Sequence, residues 1–231
     1  LIADAPAWRR KTMTVLMSRE LDALKKRLLA LSAVVESKFA QAIQALLERD
    51  VPLAQKVAMG DKEVDALEVA LEEECLKVLA LHQPVATDLR LIVSILKMNN
   101  DLERMADLAV NIAKRSIDLS GSRQNSAPYD LEQMSNMVQQ MLKMSLDALV
   151  QRNAQKALDT IKLDDEVDVL HRDNFTRVKE AIRKNPAQMD DLILYLSFSR
   201  YLERIADLAT NIAEDVVYLI SGEIIRHENL S

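Results

Sequence analysis

The segment Leu102-Glu-Arg-Met-Ala-Asp-Leu-Ala-Val-Asn-Ile-Ala113 returns one hundred residues later as Leu202-Glu-Arg-Ile-Ala-Asp-Leu-Ala-Thr-Asn-Ile-Ala213. Ten of the twelve positions are identical, and Met105/Ile205 is a conservative exchange. A shift of 103 residues aligns Asp61-Lys-Glu-Val-Asp65 with Asp164-Asp-Glu-Val-Asp168, and Arg49-Asp50 with Arg152-Asn153. Agreement at two separate places means that the chain is built from two copies of one unit, about three residues shorter in the second copy. Whatever fold the chain adopts must therefore accommodate the same unit twice.

The unit is helical. Leu91, Ile95, Met98, Leu102, Met105, Ala109 and Ile112 recur at spacings of three and four, as do Leu194, Phe198, Leu202, Ile205, Ala209, Ile212, Val216 and Leu219. That spacing lays a narrow apolar seam along a helix. The residues that break elements are scarce, with 3 Gly and 5 Pro in 231 residues, against roughly 16 and 12 at average usage. Six helices are expected: Ser18–Arg49, Leu53–Ala80, Val85–Leu119, Asp130–Gln151, one after Asn153 to Arg183, and one from Asn185-Pro186 to Ser221-Gly222. Asp50-Val-Pro52, Gln83-Pro84 and the turn-forming stretch Ser120–Pro128 separate them. Short connections between long rods force antiparallel neighbours. The expected fold is all-α, two pseudo-symmetric three-helix bundles over residues 17–122 and 123–231, with residues 1–16 unassigned.

The same helices carry acidic stripes. Residues four apart share a helix face, which groups Glu103, Asp107 and Asn111 on the third helix. Glu203, Asp207, Asn211 and Asp215 form the matching stripe on the sixth. Asp61 and Asp65 stack on the second helix, and Asp164 and Asp168 on the fifth. Acidic residues at this spacing often line a solvated face, where Arg104 and Arg204 could pair with Asp107 and Asp207. Yet like charges at i,i+4 cost about 0.2–0.5 kcal/mol per pair, and the pattern occurs in both halves. Carboxylates with amides are what hard cations prefer, such as Mg²⁺, Mn²⁺ or iron.

Other chemistry is thinly represented. A di-iron bundle enzyme needs two Glu-x-x-His motifs, and the chain has 3 His and none of those motifs. Asp168-x-x-His171 comes nearest, but Glu68 takes the matching place in the first half, so His171 is read as a helix-surface residue. Gly-rich phosphate loops, Gly-x-Ser-x-Gly and Cys/His zinc spacings are missing. The ten Met, including Met134, Met137, Met141 and Met144, read as packing. A net charge of −6 offers no general footprint for nucleic acid, and no apolar run reaches the roughly 20 residues of a membrane span. The opening Leu1–Trp8 lacks the regions of a signal peptide, and the single Cys75 sits in a core pattern. A cytoplasmic protein is expected.

The duplicated motif resembles the PhoU family of phosphate-transport regulators. So do Gln83-Pro-Val-Ala-Thr-Asp-Leu-Arg90 and the ending Asn211-Ile-Ala-Glu-Asp-Val-Val-Tyr-Leu-Ile-Ser-Gly-Glu-Ile-Ile-Arg-His227, and the resemblance runs from about Met17 to His227. It implies a negative regulator of the phosphate-starvation response, an adaptor between the ATPase subunit of a high-affinity phosphate ABC transporter and a sensor histidine kinase. It implies metal ions (Mg, Mn, Fe or Zn) on Glu103, Asp107, Glu203 and Asp207. Asn111, Asn211 and Asp215 would join them, with Asp61, Asp65, Asp164 and Asp168 from the facing helices. A partner contact through Asp88 and Arg90 would belong to one half only, because Lys184-Asn-Pro186 replaces that motif in the second. The amphipathic rods are compatible with a homodimer. A metal-dependent enzyme using the carboxylates and a purely structural scaffold are the competing readings.

Overall fold

The computed structural model describes residues 7–121, 126–223 and 225, without the side chains of residues 7–15 and 61. Helix α1 (Ala7–Glu48) is followed by α2 (Val51–Met59), α3 (Asp61–His82), α4 (Ala86–Ser120), α5 (Leu131–Gln151), α6 (Ala154–Lys184) and α7 (Met189–Ser221). A single 3₁₀ turn (Pro186–Gln188) leads into α7. Among the described residues there is no strand, and no helix long and apolar enough to cross a membrane.

Side-chain caps set several of these boundaries. The Asp50 carboxylate accepts from the Leu53 N–H at 3.0 Å, with Pro52 in the first turn of α2. Asp130 accepts from the Gln133 N–H at 2.8 Å to open α5, and Asn153 from the Lys156 N–H at 3.0 Å to open α6. Each satisfies an amide that the helix itself cannot. Arg49, Gln83 and Arg152 end α1, α3 and α5 with φ of 54°, 48° and 50°, the left-handed turn that closes many helices.

Three boundaries differ from expectation. The mildest is the sixth helix, expected from Asn185-Pro186 but starting at Met189 after a 3₁₀ turn that Asn185 precedes without a side-chain cap. The second helix, expected as one rod over Leu53–Ala80, is divided at Gly60, whose N–H bonds the Val57 carbonyl before α3 starts afresh. A residue of low helix propensity with no side chain permits that break. Helix α1 also begins at Ala7, well before the expected Ser18. His227 and part of the Ser120–Pro128 stretch lie outside the described residues.

The helices form two bundles around one continuous core. In the first, α4 packs against α1, α2 and α3; in the second, α7 packs against α5 and α6. The bundles meet where α4 lies on α7 and α1 on α5. The repeat supplies the centre: Leu102, Met105, Ala109, Ile112 and their counterparts Leu202, Ile205, Ala209 and Ile212 are all fully buried. Cys75, Met134 and Met141 are buried core residues, as their spacing predicts. Between bundles, Lys97 of α4 pairs with the Asp215 carboxylate of α7 at 3.3 Å and lies 5.6 Å from the Tyr218 ring centroid.

Gly222 closes α7 at φ 80°, its N–H bonding the Tyr218 carbonyl at 2.9 Å. A Cβ there would fall 2.7 Å from Nη1 of Arg90, whose guanidinium lies over this glycine. Gly121, at φ −79° and with the Asp118 carbonyl 4.0 Å from where a Cβ would sit, carries neither constraint. In urea denaturation, Gly222→Ala should lose about 1–2 kcal/mol, whereas Gly121→Ala should be neutral or gain up to about 1 kcal/mol.

Candidate metal centre

The acidic stripes meet where α6 runs antiparallel to α7. One oxygen each from Asp168 of α6 and from Glu203 and Asp207 of α7 lies within 4.8 Å of the others. Asp168 and Asp207 are exposed and Glu203 is half-buried, so the cluster is open to solvent on one side. Asp164, one turn before Asp168, joins it electrostatically: Asp207 and Asp168 both act on its carboxyl.

Packing just beyond the cluster sets the register. His171 Nδ1 lies 2.9 Å from the Ser199 hydroxyl, and Asn174 donates to the same oxygen at 3.2 Å. Ser199 and Asn174 are buried, so this polar knot holds one α6–α7 alignment. His171, read from the sequence as a surface residue, is half-buried here. It lies one turn past Asp168 and faces α7, where Ser199 waits one turn before Glu203.

The first half repeats the register with other residues. The Asn99 amide donates to the Glu68 backbone carbonyl at 3.0 Å, and Glu68 and Asn99 are the counterparts of His171 and Ser199. By the repeat, Asp61, Asp65, Glu103 and Asp107 are the counterparts in sequence of Asp164, Asp168, Glu203 and Asp207. The Asp61 side chain lies outside the described residues, and Glu103 and Asp107 have other interactions of their own. The close three-carboxylate group is found only in the second half among the described residues. There Thr210 stands where the first half has the buried Val110, and its buried hydroxyl, close enough to temper the charge at Asp164, meets no partner at hydrogen-bond geometry. Sequence reading passed over Thr210, although it lies at i+3 from Asp207.

Crowding is visible in the proton affinities. Burial raises the Asp164 carboxyl to about 7, aided by the charges of Asp207 and Asp168 and opposed by Thr210. Asp207, although exposed as a residue, has its carboxyl partly desolvated against its neighbours, which raises it to about 6, aided by Glu203 and Asp168 and opposed by Arg204. In the first half Glu68 is raised by burial and by Glu72 and Asp65. An all-oxygen donor set with this surplus of negative charge fits a hard cation, which takes oxygen ligands at about 2.0–2.6 Å and can bridge the separations seen here.

One member of the sequence-derived set stands apart from this group. Asp215, although in line with Glu203 and Asp207, is 1% exposed and points across the bundle interface to Lys97. Two further turns along α7 carry it about 12 Å from Asp207, and α4 rather than α6 receives its side chain. Asn111 and Asn211 are half-buried on α4 and α7, one turn past Asp107 and Asp207. At the far end of α4, Asp88 occupies the first turn, where a carboxylate favours the helix dipole. Arg90 is half-buried over Gly222, with Nη2 3.5 Å from the Thr87 hydroxyl.

The family model described as PhoU domain matches the chain twice, over residues 28–116 and 131–216. A phosphate-specific transport system accessory protein PhoU homolog of Clostridium acetobutylicum is 34% identical over 205 residues, covering 88% of this chain and 94% of that protein. The homolog so described in Pseudomonas aeruginosa is 35% identical over 213 residues, covering 92% and 88%. The crystal structure of PhoU from Pseudomonas aeruginosa superposes with a TM-score of 0.85 at 34% identity, covering 89% of this chain and 99% of that one. That of the phosphate transport system regulatory protein PhoU from Streptococcus pneumoniae gives 0.81 at 31% identity, over 90% and 98%.

The carboxylate cluster sets a pH dependence. Asp164 and Asp207 titrate near 7 and 6 when folded, against 3.8 for an unperturbed Asp. Between about pH 4 and 7 the folded chain keeps protons that the unfolded chain has released. Stability from these groups therefore falls as pH rises through that window and stays low above it. With chelator present, Asp164→Asn should be more stable than wild type at pH 8 by roughly 0.5 kcal/mol or more, with the gain shrinking towards pH 4. A difference that does not vary with pH in urea titrations would rule out repulsion as its cause.

Proposed function

Because the chain belongs to the PhoU family, we propose that it is a non-enzymatic regulator of phosphate transport that represses the phosphate-starvation response when phosphate is plentiful. The observation that carries this reading is the double family match, one copy per bundle, with relatives described as transport system accessory proteins over most of both chains. In the finer reading, the protein sits in the cytoplasm at the inner membrane. There it links the ATPase subunit of a phosphate ABC transporter to a sensor histidine kinase. Long, rigid, amphipathic rods suit that work, since they offer extended faces without needing a catalytic pocket. Deleting the protein should leave phosphate-regulated genes switched on in high phosphate. Normal repression in the deletion strain would overturn the reading.

We further propose that the second-half cluster holds a hard divalent or iron cation on Asp168, Glu203 and Asp207, with Asp164 beside them. The first-half counterparts Asp65, Glu103 and Asp107 would hold another. The cation would supply positive charge that cancels the repulsion among these carboxylates and braces α6 against α7. The raised proton affinities of Asp164 and Asp207 support this, because a site that retains protons near neutrality gains from any other cation. Native mass spectrometry with Mn²⁺ should show mass added to wild type, with the second-half ion's share of it lost from Glu203→Ala/Asp207→Ala. Asp215→Asn should keep it, since that carboxylate faces Lys97. Equal uptake by all three proteins would remove the cluster as the site.

A further inference from the structure

The duplication allows one corner of the molecule to be compared with its own twin. Where α1 turns into α2, Arg49 donates from Nη2 to the Tyr195 hydroxyl at 3.3 Å. The Tyr195 ring is buried, and Tyr129 meets it edge-on with centroids 6.5 Å apart. The Tyr129 hydroxyl donates to the Tyr195 carbonyl at 2.6 Å. An arginine at a helix-ending turn thus bonds the hydroxyl of one of two buried, edge-on phenol rings. The rings come from α7 and from the segment ahead of α5.

The shifts that superpose the halves carry Arg49 onto Arg152, Tyr195 onto Ile95 and Tyr129 onto Lys26. Arg152 keeps the backbone of its twin, with φ 50° against 54°. The rings have no counterpart, because Ile95 lacks one and Lys26 is exposed. The Arg152 side chain is exposed and makes no hydrogen bond or ion pair among the described residues, whereas Arg49 is half-buried. Beside Ile95 and Arg152 lies a cavity of about 570 Å³, walled largely by leucines of α1, α4, α5 and α7. Its rim also carries Asp88 and an exposed Lys25–Asp22 pair at 3.1 Å.

We propose that this cavity binds a small aromatic ligand of the phenol type, its ring among Leu91, Ile95 and Leu149 and its oxygen turned to Arg152. The volume lies within the range of small-molecule sites, which combine apolar walls with a few polar groups that orient the ligand. The twin corner identifies the class, since the chain itself fills that corner with phenol rings beside an arginine. Charge points the same way: Lys25 is matched by Asp22, which leaves Arg152 to receive the oxygen. The proposal is independent of the phosphate-transport reading and of the carboxylate cluster.

The probe is 2-naphthol, with naphthalene as the same rings without the hydroxyl, titrated into the full chain and followed by methyl NMR. Saturable shifts at Ile95 and Leu149 are expected. Ile95→Tyr rebuilds the twin's ring inside the cavity and should abolish binding while leaving the helical circular-dichroism signal intact. Arg152→Met, which removes an exposed guanidinium while keeping the backbone N–H that ends α5, should weaken 2-naphthol by about tenfold and leave naphthalene unchanged. The proposal is overturned by absence of saturable binding, by shifts centred away from this corner, or by equal loss of both probes in Arg152→Met. It is also overturned if a folded Ile95→Tyr binds as well as wild type.

Discussion

The buried seam along α4 and α7 is the constraint to which everything else adjusts. Each helix exceeds thirty residues and extends about 50 Å, and most of its stability comes from packing its apolar face along that length. Leu102, Met105, Ile112 and their counterparts Leu202, Ile205 and Ile212 have no exposure. Truncating any one to alanine would cost about 2–5 kcal/mol. Because α4 and α7 also pack on each other, the two seams join in one core, and neither bundle is complete without the other's central helix.

The carboxylates inherit their positions from that seam. Glu203 follows Leu202 and Asp207 follows Ala206, so burying the apolar residues turns both acids towards the flank that α6 covers. The repulsion among Asp164, Asp168, Glu203 and Asp207 is too weak to reverse the packing, since apolar burial is worth several times more. The strain is expressed instead in the raised proton affinities of Asp164 and Asp207. A rigid apolar seam can hold charges in an arrangement that they would not adopt alone.

The duplicated frame has diverged in what fills it. Glu68 and Asn99 meet in one half where His171 and Ser199 meet in the other. Val110 is answered by Thr210, and Ile95 by Tyr195. The Lys97–Asp215 pair crosses the bundle interface once, for its symmetry mates are Ser197 and Arg115. Seam residues tolerate little change because close packing registers a single methylene. Positions beside the seam were free to vary, and the two halves differ there in charge, polarity and cavity volume.

The sequence by itself determined the helical class, the duplication, most helix ends and the residues of the core. These follow from local chemistry: periodicity, caps such as Asp50 and Asn153, and the scarcity of Gly and Pro. It also put Glu203, Asp207, Asp164 and Asp168 on helix faces that could meet. The break at Gly60 was harder to see, because the apolar pattern runs through it. Which residues meet was decided by tertiary structure alone. A helix wheel gives Asp215 and Asp207 the same direction, but α4 lies opposite one and α6 opposite the other. His171 looks like a surface residue until α7 brings Ser199 against it, and nothing local distinguishes Ile95 beside a cavity from Tyr195 in a filled corner. Periodicity fixes the angle at which a side chain leaves its helix; only packing fixes what lies in its path.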